Sequence, residues 1–471
     1  MAARVAVVGA RRPELLGEVG TDEAAGANGV TSAIGAGPEM EAGGGVRRGT
    51  GVLFVAPGSP LPSTTGGNSR LWSMIEHIRG SGFRVGLVTI GHGPEATRQL
   101  RRRVDDLWCV GEPRVTPWWR RVVRGVKRGI RGGVPARLVR AARGRASFIV
   151  RNLNPELCYV ARRAAAETRP TAMIAQYAWA ARALDGTPPD TLRIVDTIDI
   201  QHRRAAIAEA AGGSLADRRC TREEEVGELS RAQVLLAVQR HEKSELERMC
   251  PRQRVLLVGH AVSDQQRLYA PLSSRTLLFV GTNYDPNVRG AREFIRTVWP
   301  RIRERCAGSR LVICGSVCDA FAERYEGVEF EGIVPSLLPY YERAAIVINP
   351  IPYGTGLKIK TVEALSYGKC VVGTPAAVDG LDDADRAPYF VVRTTSHMAG
   401  VILELLADPE RRRGVEEASY DFAFQRLPPR RVYAELVDVL TGSETDVRGG
   451  SIGGREGATP CAGRAPTGRR C

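Results

Sequence analysis

Ile346-Val347-Ile348-Asn349-Pro350-Ile351-Pro352-Tyr353-Gly354-Thr355-Gly356-Leu357-Lys358-Ile359-Lys360-Thr361-Val362-Glu363-Ala364-Leu365-Ser366-Tyr367-Gly368-Lys369 joins an apolar run of strand length to a helix through a glycine-bearing loop. Such a junction leaves free backbone N–H groups and the positive end of the helix dipole pointing at one place, which is an anion site. Gly354 and Gly356 let a ligand approach the backbone closely. Lys358 and Lys360 add point charges suited to phosphate. Lysine is otherwise scarce: of 67 basic residues only Lys127, Lys243, Lys358, Lys360 and Lys369 are lysine. Glu363, a turn beyond the loop, is an acceptor-only group able to grip a vicinal diol such as ribose. An anion cradle with a diol clamp one turn away describes a nucleotide diphosphate site. The plainer alternative is an ordinary strand-to-helix turn with a Lys360–Glu363 surface ion pair.

Outward from this stretch, strand-length apolar runs alternate with segments of helical period. In the second half, strands are predicted at Leu277–Val280, Leu311–Cys314, Val328–Phe330, Ile346–Asn349 and Cys370–Gly373, with helices near 289–305, 358–368 and 395–407. In the first half they are predicted at Val52–Pro57, Arg84–Ile90, Thr171–Ala175, Leu192–Asp196, Val234–Val238 and Val255–Val258. Asn68 or Ser69 is the expected cap of a helix whose apolar face is Leu71, Met74, Ile75 and Ile78. Near-continuous Val/Ile/Leu strands alternating with helices imply parallel sheets covered on both faces. A proline-interrupted segment near 265–275 divides the two series. The expected fold is therefore α/β, with two Rossmann-like doubly wound domains, 49–268 and 269–408, facing one another across a cleft. Residues 409–442, through Tyr433, Leu436, Val439 and Leu440, are expected to form helices crossing back to the first domain. Ligands of open α/β sheets bind outside the carboxyl ends of the strands, so the chemistry is expected in the cleft.

The quoted stretch resembles the donor-binding motif of the GT-B glycosyltransferases of the family 4 type, which use nucleotide-activated sugars. The resemblance extends to Leu277-Leu278-Phe279-Val280-Gly281-Thr282-Asn283-Tyr284-Asp285-Pro286-Asn287-Val288-Arg289-Gly290, similar to the strand and glycine loop opening that family's C-terminal domain, and to Gly66-Gly67-Asn68, similar to its N-terminal glycine loop. It spans about 49–440 and is strongest over 277–374. It implies that Glu363 is the second glutamate of a paired-glutamate motif and holds the ribose hydroxyls. The first, which in the family contacts the transferred sugar, falls at Thr355. Thr282 stands where the family commonly has arginine, Arg289 matches its second phosphate-binding cation, and Lys358 or Lys360 is expected to replace the missing charge. The donor-binding set implied is Gly66, Gly67, Gly281, Asn283, Arg289, Thr355, Gly356, Leu357, Lys358, Lys360 and Glu363. The resemblance further implies retention of configuration, no cofactor and no metal; Asp383-Ala384-Asp385, an acid-x-acid pattern, is read as a polar loop.

In the first half, Asp196-Thr197-Ile198-Asp199-Ile200-Gln201-His202-Arg203 follows a buried strand and ends near the expected cleft. Asp199 and His202 are the candidate catalytic residues, able to orient an acceptor hydroxyl or contact the donor sugar. The competing readings are a helix N-cap for Asp199 and a surface histidine for His202. On this fold a front-face transfer would use the donor's own phosphate as base. His241 lies in what reads as a solvated helix start, and His260 follows a strand between the halves, as a hinge or a bland residue. Residues 114–151 contain twelve basic residues and no acidic one, with Trp118-Trp119 ahead of Arg120, Arg121, Arg124, Lys127, Arg128 and Arg131. That pattern suits an anionic membrane surface or a solvated basic face; nucleic acid is the weakest partner, since no RNA-recognition or zinc motif accompanies it.

The rest of the 471-residue chain narrows the class. Hydrophobic residues are 43% and charged ones 25%, the balance of a globular protein, and no stretch has the length and apolarity of a membrane span. Residues 1–48 and 443–471 are Gly-rich or Arg-rich without period and are expected to be disordered tails. With no signal peptide read at the start, the expected location is the cytoplasm, peripheral on the inner membrane face if the basic segment binds there. The ten cysteines are spread thinly, as reduced thiols would be. Cys314 and Cys318 are the one close pair in the folded region and are read as packing thiols rather than zinc ligands. The expected activity is glycosyl transfer from a nucleotide-diphosphate sugar to a carbohydrate, lipid-linked or small-molecule acceptor. A non-catalytic nucleotide-binding scaffold and a sugar-nucleotide epimerase on the same fold are the alternatives.

Overall fold

The computed structural model describes residues 51–61, 65–91, 93–111, 148–213, 219–262, 266–381 and 387–442. The expected tails, most of the basic segment 114–151 and the Asp383/Asp385 loop lie outside these residues.

Two parallel sheets carry the fold. The first has seven strands: β1 (Gly51–Ala56), β2 (Arg84–Ile90), β3 (Asp106–Val110), β4 (Ala172–Gln176), β5 (Leu192–Asp196), β6 (Val234–Ala237) and β7 (Arg254–Leu257), in the order β3-β2-β1-β4-β5-β6-β7. The second has six: β8 (Thr276–Val280), β9 (Arg310–Cys314), β10 (Val328–Gly332), β11 (Ile346–Asn349), β12 (Val371–Gly373) and β13 (Tyr389–Val391), in the order β10-β9-β8-β11-β12-β13. Both orders reverse direction beside the first strand, the topological switch point where α/β sheets open a crevice. Successive β1 side chains serve opposite cores: Leu53 and Val55 pack with Met173 and Val195, while Val52 and Phe54 pack with Leu71 and Ile75. This two-sided burial explains why the strands read as unbroken apolar runs.

Helix α1 (Gly66–Gly80) starts earlier than expected. Thr65, not Asn68 or Ser69, caps it, its Oγ1 accepting the Asn68 N–H at 3.3 Å, so Gly66 and Gly67 fall in the first turn. The helix expected near 289–305 begins at Asp285 and is interrupted by a π turn at Phe294–Val298. Pro300 has no N–H to give the preceding turn, and the wider turn accommodates it. Two strands were absent from the sequence reading, β3 and β13. Each lies at a sheet edge and pairs on one side only.

The expected crossing over 409–442 is divided in two. Residues Pro409–Arg426 form a helix that stays with the second domain, where Ala423 packs with Val362 and Leu365. The short helix Pro429–Val432 and the last helix, Ala434–Thr441, join the first domain: Val432 packs on its core, Tyr433, Leu436, Val439 and Leu440 enter that core beside Leu71 and Met74, and the Tyr433 hydroxyl donates to Ser73 Oγ at 3.1 Å. No helix among the described residues is long and apolar enough to cross a membrane.

A candidate donor cleft between the sheets

The carboxyl ends of the two sheets face a cavity of about 730 Å³. The first domain lines it with Gly66, Gly67, Ile198, Asp199 and Arg204. The second contributes Gly281 to Tyr284, Asn287, Ser316, Ile333 to Leu338, Tyr353 to Lys360, Glu363 and Tyr367. The sequence-predicted residues Gly66, Gly67, Gly281, Asn283, Thr355, Gly356, Leu357, Lys358, Lys360, Glu363 and Asp199 are thus brought to one cavity.

On the second domain, β11 runs into the loop, and the helix α2 (Ile359–Ser366) starts directly after it with Lys358 at the cap. Gly356 takes φ +70°, a region closed to most side chains, and a Cβ there would lie 3.3 Å from the Ile198 carbonyl across the domain boundary. Lys358 folds back so that Nζ donates to the carbonyls of Thr355, at 3.2 Å, and Gly356. Lys360 donates to Asn287 Oδ1 at 2.5 Å and lies 4.6 Å from the centroid of the Phe279 ring. These groups are packed around by protein yet open onto the cavity. Burial, with Lys358 adding repulsion, lowers Lys360 to about 7, and burial lowers Lys358 too. Burial raises Glu363 to about 7, against a smaller opposing pull from the Tyr341 hydroxyl. Two crowded cations, neither bonded to a carboxylate among the described residues, form a site that an incoming anion would stabilise.

On the first domain, Gly67 leaves room for Tyr177: a Cβ at that position would stand 2.3 Å from the Tyr177 hydroxyl. Ile198 holds φ +64°, strained for a β-branched residue, at the turn that presents Asp199. Asp199 is not the N-cap of the helix that follows, α3 (Gln201–Ala210), whose cap position is Ile200. Its carboxylate instead accepts from Gln201 Nε2, from Thr355 Oγ1 at 3.1 Å across the cleft, and lies 3.4 Å from Arg204 Nε.

Two predicted residues are placed elsewhere. His202 does not line the cavity: its Nδ1 sits 2.7 Å from the buried Glu225 carboxylate. Glu225 also accepts the N–H groups of Gln201 and His202 at 2.8 and 2.9 Å. It thereby caps a helix that has no capping side chain of its own, and the His202 ring belongs to that cap. Arg289 is likewise absent from the lining, its guanidinium 5.8 Å from the centroid of the Tyr353 ring. His241 is half exposed at the start of the helix Arg240–Met249, the solvated helix start expected, with its Nδ1 3.9 Å from Asp379 of the other domain. His260 is buried, and burial together with Arg70 lowers it to about 3, so it is neutral. Cys314 and Cys318 are buried free thiols. Among the described residues no cluster of three or more His, Cys, Asp or Glu could hold a metal ion.

Sequence reasoning missed Arg204, Asn287 and Glu242. Asn287 closes the loop onto itself, donating to the Thr282 carbonyl at 3.0 Å while its Oδ1 receives Lys360. Glu242, on the helix Arg240–Met249, is buried behind the cleft, where burial and then Asp199 raise it to about 8. The signal for Asn287 was present in the Asp285-Pro286-Asn287 start of a helix next to a glycine loop. Arg204 and Glu242 had none beyond helical spacing.

Residues 274–408 match the family described as glycosyl transferases group 1. No curated protein matches the chain in sequence. Among solved structures it is similar to sucrose-phosphate synthase from Thermosynechococcus elongatus, at 15% identity over 84% of this chain and 99% of that one, with a TM-score of 0.60. It is similar to a glycosyltransferase from Rickettsia africae, at 10% identity over 86% of this chain and 100% of that one, with a TM-score of 0.57. It is also similar to HepE from Anabaena, solved in complex with UDP and glucose, at 11% identity over 83% of this chain and 100% of that one, with a TM-score of 0.56. At these identities the likeness is one of fold, the two-domain GT-B arrangement.

Proposed function

We propose that this glycosyltransferase, whose group 1 domain spans residues 274–408, moves a sugar from a nucleoside-diphosphate sugar held on the second domain to a glycan, lipid-linked or small-molecule acceptor held on the first. We take the transfer to retain configuration and to need no metal ion. The observation that carries this reading is the convergence of Lys358, Lys360 and Glu363 with Gly66, Gly67 and Asp199 on one cavity between the sheets.

The geometry of the cleft supports the following roles. Backbone amides of Gly356 to Lys358 and the two lysines take the diphosphate, and Glu363 takes the ribose diol. When the sugar C1–O bond breaks, its electron pair passes to the diphosphate oxygen, where preorganised cations and amides cost no reorganisation. The donor phosphate accepts the proton of the acceptor hydroxyl on the same face. Asp199, held by Thr355 and Arg204, orients the sugar or the acceptor. Closure of the two halves keeps out water that would hydrolyse the donor.

Glu363→Ala tests the assignment. Loss of a charged hydrogen-bond partner for both ribose hydroxyls should weaken nucleotide binding about 100-fold, with the melting curve of the unliganded protein retained. Unchanged affinity would contradict the site. Analysis of the products formed with and without acceptor separates transfer from epimerisation and from binding alone. We also propose that residues 114–151 dock on an anionic membrane surface at the cytoplasmic face, each cation contributing about 1 kcal/mol. Sedimentation with phosphatidylserine vesicles, lost on raising salt and on replacing Arg120, Arg121 and Arg124 by Gln, is the expected result. Equal sedimentation of the variant would exclude that role.

A further inference from the structure

Thr282 leaves the first loop of the second domain without a cation, yet the cleft holds a guanidinium beside that loop. Arg204, from α3 of the opposite domain, lines the same cavity as Thr282. Its Nη2 lies 3.3 Å from the Tyr284 hydroxyl and its guanidinium carbon 5.5 Å from the centroid of the Tyr284 ring. It is also close enough to Lys358 to help lower that lysine. We propose that Arg204 is the cation that meets the donor's diphosphate from the first domain, so that the anion site is completed across the cleft. This rests on the donor reading given above.

The argument has three parts. The Arg204 side chain is only 14% exposed, so its charge is kept out of bulk water and focused on the cavity. Its contacts are long for charged hydrogen bonds, at 3.4 Å to Asp199 Oδ2, 3.4 Å to Gln201 Oε1 and 3.3 Å to Tyr284, against about 2.7–2.9 Å for a tight one. They hold the guanidinium in place without saturating its five donors. Finally, a planar fork suits phosphate oxygens, and one carried by the opposite domain reaches them only when the halves are closed. As the C1–O bond breaks, the electron pair arriving on the diphosphate then meets positive charge from both domains.

Calorimetric titration of the full chain with UDP, GDP, ADP and TDP, and with the matching monophosphates, tests this. The wild type should prefer one diphosphate over its monophosphate. In Arg204→Gln that preference should shrink about 10- to 100-fold, while monophosphate affinity stays within about twofold. Arg204→Lys should retain much of the diphosphate affinity but lose turnover, because the planar fork is gone. If Arg204→Gln weakens both ligands equally, or neither, Arg204 is an interdomain latch and the inference fails. If Arg204→Gln does not fold, undiminished turnover in Arg204→Lys has the same meaning. A wild type that binds no diphosphate overturns the donor reading itself and this inference with it.

Discussion

Lys360 and Glu363 face one cavity with opposite demands on pH. In its proposed role Glu363 must be ionised to accept ribose hydroxyls, and burial raises it to about 7; Lys360, in its own, must be charged to meet phosphate, and burial lowers it to about 7. Nucleotide affinity should therefore peak near neutral pH and fall at both 5.5 and 8.5, a profile that calorimetry at three pH values reads directly. Glu242 gives a stability counterpart. Its folded pKa, raised to about 8 from an ordinary 4.5, means the folded state holds the proton more tightly. Stability from that group is thus present below 4.5 and lost as pH rises to about 8. Glu242→Gln removes the dependence, so the variant should gain on wild type between pH 5.5 and 8.5, by about 2–4 °C in Tm for each kcal/mol. A gap that does not change with pH would show that Glu242 is already ionised in the folded state.

At the scale of elements, the joint between α1, β5 and the segment following β7 is a buried ion pair. Arg70 donates to both oxygens of Asp196, at 2.8–3.1 Å, and to the Gly259 carbonyl. Arg70→Met leaves Asp196 charged and unpaired in the core and should cost about 3–5 kcal/mol in denaturant unfolding; a loss below about 1 kcal/mol would mean the pair is solvated. The elements themselves were largely legible. Central strands such as Arg84–Ile90, Leu192–Asp196 and Ile346–Asn349 have the predicted bounds because burial on both faces leaves an unbroken apolar run. The edges β3 and β13 lack that signature. The lysine-bearing loop was legible because its glycines, charges and helix start are local. His202, Arg204 and Glu242 were not, since which side of a helix meets the cleft is set by tertiary partners: Glu225, which claims His202, lies 23 residues away.

For the whole molecule, contacts between the domains gather around the cleft. Thr355 reaches Asp199, Arg204 reaches Tyr284, and Gly380 packs so tightly on Gln239 that a Cβ would lie 2.1 Å from its side-chain oxygen. The C-terminal segment ties the halves together again through Tyr433. A ligand bridging both domains should therefore raise the stability of the whole chain. The central claim is that this cleft binds a nucleoside diphosphate, and the most direct measurement is the thermal stability of the full chain with UDP, GDP, ADP or TDP. At 100-fold its dissociation constant a ligand adds about 2.7 kcal/mol. One diphosphate should raise the melting temperature, and in Glu363→Ala the same concentration should add only about 0.4 kcal/mol, removing most of the rise. No shift with any of the four, or a shift undiminished in Glu363→Ala, would contradict the claim.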